Sequence, residues 1–499
     1  MKRLGQHHFY RSTLLILGCV GFLLGAATAA EIGVGGWPLI ITLGLATCVV
    51  IKKAHLGALL LITCFGLCLG WYRGGQYLCL VNQYQPYYDQ KIAITATAIS
   101  DAVYGDNGQL SFDVSNVQID GQALIGKIGI AGFGEDMVYQ GDQLEITGKL
   151  RDGLGSYKGW ISYATLTVVR HGGTMIDNWR RQFGAALTSA LPEPLAPFGM
   201  GLLIGQRNTL PDETSKTLLW VGLTHIIAVS GYNLTILIKA ARMLLKKGSK
   251  YQTTIVSLAL IGVFLLFAGN CPSIVRAALV SMISLLAWYY GRDFHPVLLI
   301  LLAASITVYA NPSYIWSDSG WWLSFLAFIG VVVVSPLVLN RVPKRFSQSL
   351  LGAMVLETLC AEVMTMPYVL YVFGQTSLAS LPANVLIASF VPIAMLLTMV
   401  AGLAGWLIPT VAGWLAWPAN WVLNYMLDGC TLLSRVPHVF INNLYLKPSG
   451  LALWYVALAI VGGLLIRHKR RKHVTITDRT IPNDKELRQY ERTFQMVHN

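Results

Sequence analysis

Charged residues are scarce in this sequence: Lys, Arg, Asp and Glu together make up 12% of its 499 residues. Soluble globular domains usually contain about 25% of these residues. Hydrophobic residues reach 54%, and the mean hydropathy is +0.55. This balance excludes a soluble globular protein. It predicts a polytopic α-helical membrane protein that is surrounded by membrane lipids.

Clustered metal ligands are lacking as well. The ten histidines are scattered, and none forms a His-x-His or His-x-x-x-His pair, so no spacing typical of a zinc site is present. Most of the eight cysteines lie in or beside apolar runs, while Cys79 stands alone in a polar region. We therefore expect no metal, no cofactor, no catalytic residues and no disulfide within that polar region.

Apolar runs recur along the chain, and about twelve of them approach the ~20 residues that a helix needs to cross a bilayer. They lie at residues 13–30, 37–51, 56–71, 224–245, 254–269, 272–290, 296–310, 321–339, 350–373, 381–406, 411–433 and 451–466. If the N-terminus is cytoplasmic, the basic loops fall on the cytoplasmic side, and this accounts for much of the net charge of +13. We expect a plasma (inner) membrane protein with both termini inside and the first span retained as an uncleaved anchor.

The pattern of residues divides the chain into five predicted segments. They are an N-terminal three-helix membrane unit (1–71), an extracytoplasmic domain (72–177), amphipathic interfacial helices (178–223), a transmembrane domain (224–466) and a cytoplasmic basic tail (467–499). One amphipathic helix, at residues 175–191, is expected to lie on the membrane surface. A second is expected to start at Pro211 and the acidic pair that follows it.

Residues 72–177 change from a helical to a strand-like pattern, with turns rich in Gly, Asp and Asn. Predicted strands lie at residues 91–100, 109–119, 123–131, 142–149 and 161–170. Five short strands in about a hundred residues suit a small β-barrel, such as an OB-like fold. We therefore predict an extracytoplasmic OB-like domain.

Several polar residues fall inside apolar spans, where unpaired polar groups cost several kcal/mol. Arg276 is a permanent cation in such a run, and we expect it to pair with Glu357, Glu362 or Asp428 or to contact a phosphate. The three carboxylates also fit a proton relay. His225 and Ser230 are five residues apart, about 140° around a helix axis, so a catalytic dyad is poorly supported against packing or pore lining.

Five short motifs follow one another in an order typical of a known family. They are GLLIGQR at 201–207, LTHIIAVSG at 223–231, PSIVRA at 272–277, DSGWWLSF at 318–325 and AN at 383–384. Together with the three-span unit and the external domain, they resemble the ComEC family, the inner-membrane DNA channel of natural competence. The family pattern usually has an acidic residue where Gln206 stands and a histidine where Asn233 stands.

The resemblance implies a channel for uptake of single-stranded DNA into the cytoplasm, in which residues 224–466 form the competence-type channel domain. Candidate pore or gating residues are Arg207, His225, Ser230, Gly231, Asn233, Arg276, Asp318 and Asn384. It further implies a surface DNA receptor and a cytoplasmic DNA motor or single-strand-binding protein as partners. Many members carry a C-terminal metallo-β-lactamase-like domain, and the sequence stops before one begins. We therefore expect a separate nuclease.

Two rival functions remain open from the sequence. One is an ion-coupled secondary transporter of a small solute, and the other is a membrane-embedded hydrolase that uses His225 and Ser230.

The external domain does not favour simple electrostatic DNA binding. Residues 72–177 contain seven Lys or Arg and eleven Asp or Glu, and this acidic balance repels phosphates on average. Binding there requires a local patch or stacking of unpaired bases on aromatic rings. The aromatic candidates are Tyr84, Tyr87, Tyr88, Tyr104, Tyr139, Tyr157 and Trp160, for which barrel core or membrane interface is the alternative.

Overall fold

A computed structural model describes most of the chain. It covers residues 11–32, 54–104, 109–133, 138–153, 157–172, 175–206, 209–227, 249–268, 272–291, 295–339, 341–347 and 349–479, together with Leu234, Ile238 and Met243. Four predicted site residues lie outside the described residues. They are Arg207, Ser230, Gly231 and Asn233.

The first two helices of the described part of the chain, α1 (Arg11–Ile32) and α2 (Ala54–Val81), pack with their backbones in contact. Glycines at the crossing make this possible: a Cβ at Gly70 would overlap the carbonyl oxygen of Phe22, and one at Gly25 would overlap that of Leu67. Small residues that allow such close approach are typical of helix pairs in membranes.

The β domain follows α2 and a short 3-10 turn. Its strands are β1 (Lys91–Ala98), β2 (Val103–Tyr104), β3 (Gln109–Ile119), β4 (Gln122–Leu124), β5 (Lys127–Phe133), β6 (Gln143–Asp152) and β7 (Tyr157–Arg170). Each of the five predicted strands overlaps an observed one, since alternating apolar residues point into one core that includes Ile94, Val114, Ile130, Ile146 and Ile161. The single strand predicted at residues 123–131 is divided between β4 and β5. The additional strand, β2, is too short to produce that alternation.

The sheet is mixed. Its order is β1-β6-β7-β5-β3-β2, and β4 pairs with β3. β5 and β7 run parallel, whereas the other pairs are antiparallel. β1 pairs with β3 as well as with β6, as in the register Thr97 opposite Ser115.

Four helices lead from the β domain into the rest of the chain. They are α3 (Met175–Ala190), α4 (Leu195–Ile204), α5 (Asp212–Trp220) and α6 (Thr224–Ile227). α5 begins directly after Pro211, as predicted. The prediction that α3 lies on the membrane surface is incomplete, because its apolar face is covered by protein: Phe183 and Leu187 are buried in a core shared with α4.

Twelve further helices are described after residue 249. They are α7 (Lys250–Ala268), α8 (Pro272–Tyr289), α9 (Pro296–Ala310), α10 (Ser313–Ser317), α11 (Ser319–Ile329), α12 (Ser335–Leu339), α13 (Lys344–Ser347), α14 (Leu350–Val372), α15 (Ser380–Leu386), α16 (Val391–Leu407), α17 (Ala412–Ser434) and α18 (Pro448–Arg479). A π-helical turn, Gly330–Val334, joins α11 to α12. A two-stranded sheet pairs β8 (Thr376–Ser377) with β9 (Phe440–Ile441).

Six helical segments among the described residues are long and apolar enough to cross a membrane. They are Ser12–Glu31, Lys250–Ala268, Pro272–Tyr289, Ser319–Leu339, Leu351–Val372 and Ser380–Leu407. Three shorter apolar helices are Leu195–Ile204, Pro296–Ala310 and Pro448–Leu464. These segments fit a polytopic helical membrane protein, while the larger number of about twelve spans stays a prediction.

Candidate functional site

His225 and Asn384, which come from two different motifs, are in direct contact. The imidazole of His225 hydrogen-bonds the side chain of Asn384 and the backbone of Gly222. α6 is brought into position by the turn after α5, where Gly222 adopts a left-handed conformation (φ 76°) and lies against Ser380. A glycine suits this turn because other residues rarely adopt a positive φ.

Glu362 continues this arrangement from α14. The hydroxyl of Ser380 donates a hydrogen bond to Oε1 of Glu362, and the carbonyl of Ser380 accepts one from Nδ2 of Asn384 at 2.9 Å. We call His225, Asn384, Ser380 and Glu362 the polar junction. It joins α6, α14 and α15, and Ser380 was not among the residues that the sequence singled out.

A further hydrogen bond, outside the four residues, supports the polar junction. Ser377 Oγ donates to the carbonyl oxygen of Trp220 at 2.6 Å. The bond ties the end of α5 to strand β8, which ends three residues before the start of α15. The polar junction is therefore held by backbone contacts as well as by its own side chains.

Arg276 pairs with Asp318, and this corrects the predicted partners. Nη1 of Arg276 lies 3.8 Å from Oδ2 of Asp318, and the Arg276 side chain is 3% exposed. Nη2 donates to the hydroxyl of Ser273 at 3.1 Å and to the carbonyl of Gly320 at 2.9 Å. Asp318 also caps α11, because its Oδ1 accepts a hydrogen bond from the backbone N–H of Trp321 at 3.1 Å.

The carboxylates expected beside Arg276 lie elsewhere. Glu357 is exposed on α14, Asp428 is exposed on α17, and Glu362 belongs to the polar junction. The expected ion pair of Arg276 with these three groups is therefore wrong. The pair with Asp318 joins two motifs, PSIVRA and DSGWWLSF, through one buried contact.

The β domain touches the first motif through Gln206. Its amide donates to Oδ2 of Asp101 at 3.4 Å, a long and therefore weak hydrogen bond. Oδ1 of Asp101 accepts from the backbone of Gln140 at 2.8 Å, and Arg180 donates to the side chain of Gln140 at 2.6 Å. An acidic residue at position 206 would face the Asp101 carboxylate, whereas the amide present here can donate to it.

Most of the aromatic side chains of the β domain that were candidates for base stacking are packed against other protein groups. Tyr84 is fully buried, and burial raises the pKa of its hydroxyl. Tyr157 packs edge-on against Trp160 at 5.4 Å between ring centroids and lies 4.5 Å from the ammonium of Lys127. The side chain of Tyr104 lies outside the described residues.

Lys127 shows how this region balances burial against charge. Burial opposes the charged form, but Asp113, whose carboxylate lies 2.5 Å from the ammonium, outweighs it and raises the pKa of Lys127. Lys158 lies over the ring of Tyr77, and burial lowers its pKa. These two cations are already engaged with protein groups.

The architecture and the site define a membrane-integral, polytopic helical protein with a β domain between helices α2 and α3. The chain belongs to the Competence protein family, whose sequence profile matches residues 202–469, more than half of its length. All described residues of the polar junction and the Arg276–Asp318 pair fall within this match.

One curated relative is similar to the chain. It is ComE operon protein 3 of Bacillus subtilis (strain 168), which is 25% identical over 225 residues. The aligned region covers 45% of this chain and 28% of the relative, so the chain corresponds to less than a third of that protein. No solved structure matches the chain.

Proposed function

We propose that this protein is the membrane conduit through which single-stranded DNA enters the cytoplasm during natural transformation. Membership of the competence family supports a role in DNA uptake. The observation that carries the proposal is the contact of His225 with Asn384, extended through Ser380 to Glu362. Polar groups from separate motifs converge there among apolar helices, as expected where a polar strand must pass.

The finer features of the conduit belong to the same proposal. The protein lies in the plasma membrane with both termini inside and the β domain outside. The β domain is an OB-like small barrel, which the pairing of β1 with both β3 and β6 supports. The partners are a surface DNA receptor and a cytoplasmic motor or single-strand-binding protein. A separate nuclease is a further partner, because we infer that this chain itself has no catalytic role.

The decisive experiment separates uptake from surface binding. Cells that lack the gene are given labelled duplex DNA, and the label is then followed in two fractions, surface DNA that added nuclease removes and protected single strands in the cytoplasm. We expect the protected fraction to disappear while the surface fraction remains. Unchanged protected DNA would refute the conduit.

A second candidate function is an ion-coupled transporter of a small solute. The observation that favours it is the hydrogen bond between Ser380 and Glu362, which places a carboxyl group within a helix that can span a membrane. Glu362→Gln separates the two functions. A transporter that relies on this carboxyl group loses its ion coupling, whereas a conduit that uses Glu362 as a hydrogen-bond acceptor retains DNA uptake, because the amide oxygen of Gln still accepts.

A further inference from the structure

Two large aromatic rings lie exposed and stacked on the β domain. Phe133 on β5 and Tyr163 on β7 are 52% and 81% exposed, and their ring centroids lie 5.9 Å apart at an interplanar angle of 28°. The strands are neighbours, with Gly132 opposite Ala164. Both rings are therefore largely open to solvent, and exposed aromatic rings suit stacking with another planar group.

The backbone at Tyr163 is strained in the way that exposes its ring. Its φ is +56° within β7, in the left-handed region that costs about 1–2 kcal/mol for a residue with a Cβ. The pairing of β6 with β7 is irregular at the same place, between Thr147 and Lys149. Bulges of this kind re-aim a side chain, and such strain is concentrated at functional sites.

Two lysines lie across the sheet from these rings. Lys91 on β1 is directly opposite Lys149 on β6, and Lys149 is opposite Ser162, the residue before Tyr163. Both lysines are exposed. Like charges on opposite residues of an antiparallel pair are destabilising, and the ion pair of Lys149 with Asp89 at 3.0 Å offsets one of them. An anion bound between the lysines would remove the remaining repulsion.

Lys91, Lys149, Tyr163 and Phe133 thus form a continuous outer band across four neighbouring strands, β1, β6, β7 and β5. With strands ~4.8 Å apart, the band is about 14 Å long. One end is cationic and the other is aromatic. This length matches about four nucleotides at the stacked spacing of ~3.4 Å.

We propose that the outer band binds single-stranded DNA, with unpaired bases stacked on Tyr163 and Phe133 and the phosphates beside Lys91 and Lys149. This inference rests on the proposed conduit function and names where the strand meets the β domain. Stacking must provide most of the affinity, because the acidic balance of residues 72–177 weakens any general attraction for phosphate. Duplex DNA covers its base faces, so the band selects single strands.

The test compares two strands of equal length and charge on the purified full chain in detergent. One is oligothymidylate, and the other is an abasic deoxyribose-phosphate strand. We expect the wild type to bind oligothymidylate more tightly by about 5- to 150-fold for each stacked base. Equal affinity for the two strands would overturn the proposal, whatever the absolute affinity.

Tyr163→Gly is the most informative variant. It removes the ring but relieves the positive φ, so we expect the base preference to fall while thermal stability is retained. Tyr163→Phe keeps the ring and should keep the preference. Ile125→Ala changes another side chain of the β domain, 50% exposed, and serves as the matched control. A Tyr163→Gly protein that is stable and retains the full preference would contradict the proposal.

The cationic end has a different signature. The double variant Lys91→Gln, Lys149→Gln should lower the affinity for oligothymidylate and for the abasic strand by the same factor, and it should reduce the salt dependence of binding. Unchanged salt dependence would show that Lys91 and Lys149 are not part of the binding site. Failure of the band is distinguishable from failure of the conduit, because the conduit is refuted by DNA uptake in cells that lack the gene and the band by strand affinities of the purified protein.

Discussion

The guanidinium of Arg276 is buried beside the carboxylate of Asp318, which at the same time caps the helix that begins at Ser319. Asp318 therefore caps a helix and at the same time pairs with a buried cation. Because Nη2 of Arg276 also donates to the carbonyl of Gly320, α8 and the start of α11 are fixed to each other at a single point. The contact offsets part of the cost of a permanent charge in an apolar helix, while among the described residues Nε and Nη1 of Arg276 have no hydrogen-bond partner.

Removal of either charge of this pair should destabilise the protein. Arg276→Gln leaves Asp318 unpaired, and Asp318→Asn leaves a buried guanidinium, with an expected loss of about 3–5 kcal/mol for each change. The double variant should recover most of the stability, since Asn still accepts the capping hydrogen bond. The measurements are abundance in the membrane and thermal unfolding in detergent. Rescue of Arg276→Gln by Glu362→Gln, and not by Asp318→Asn, would contradict this pairing.

The polar junction should respond to changes in hydrogen bonding. Asn384→Ala removes the side chain that bonds both His225 and the Ser380 carbonyl, and we expect a loss of about 1–3 kcal/mol and a strong fall in DNA uptake. Asn424→Ala is the matched control, because Asn424 is an exposed asparagine of α17 whose amide bonds Asn420. Equal uptake by the two variants would argue against a functional role for the junction.

Tyr84 offers a prediction about pH. Its hydroxyl is buried and, within the described part of the chain, has no hydrogen-bond partner, so Tyr84→Phe should raise stability by about 1–3 kcal/mol at neutral pH. Burial raises the pKa of Tyr84 above its ordinary value of 10.0 and that of Tyr88 to about 12. The unfolded chain then releases these protons first as the pH rises, and stability that is fully present below about pH 10 is lost above it.

Thermal unfolding at neutral and alkaline pH checks this prediction. Tyr84→Phe should lose less stability than the wild type as the pH rises, and the remaining loss should come from Tyr88 and other tyrosines. A steeper alkaline loss in Tyr84→Phe would show that the sign is wrong.

The topology can be tested with single cysteines in a background without native cysteines. Gln122→Cys lies on β4 and Arg345→Cys lies on α13, and both positions are exposed. In intact cells an impermeant thiol reagent should modify the first and not the second, until the membrane is opened. The reverse labelling would place the β domain in the cytoplasm.

The absence of catalysis is also open to measurement. Purified protein should leave labelled single-stranded DNA intact with added divalent cations and should contain no stoichiometric zinc. Cleavage that copurifies with the protein and disappears in His225→Ala would favour the hydrolase instead.

The strands were predictable because their alternation of apolar and polar residues is local. The pairing of Arg276 was not, because Asp318 lies just before its apolar span, and spacing along the chain carries no signal for a contact between two helices. Tyr163 was missed for a related reason. Its neighbours read as a regular strand, and the bulge that exposes its ring arises from the pairing with β6. The burial of Phe183 followed from an amphipathic pattern that fits a membrane surface and a protein partner equally well.

The glycine contacts between α1 and α2 determine how rigidly the β domain is attached to the helices that precede it. No lipid tail fits between helices whose backbones touch, so α1 and α2 behave as one rigid helix pair. The indole N–H of Trp316 on α10 donates a hydrogen bond to the carbonyl oxygen of Ala27 on α1 at 3.1 Å and attaches this pair to the rest of the protein. α2 alone has 28 residues, about 42 Å of helix, and it ends at the 3-10 turn that leads into β1. Any tilt of this helix pair would therefore move the β domain with it, and with the β domain the surface that we propose binds single-stranded DNA.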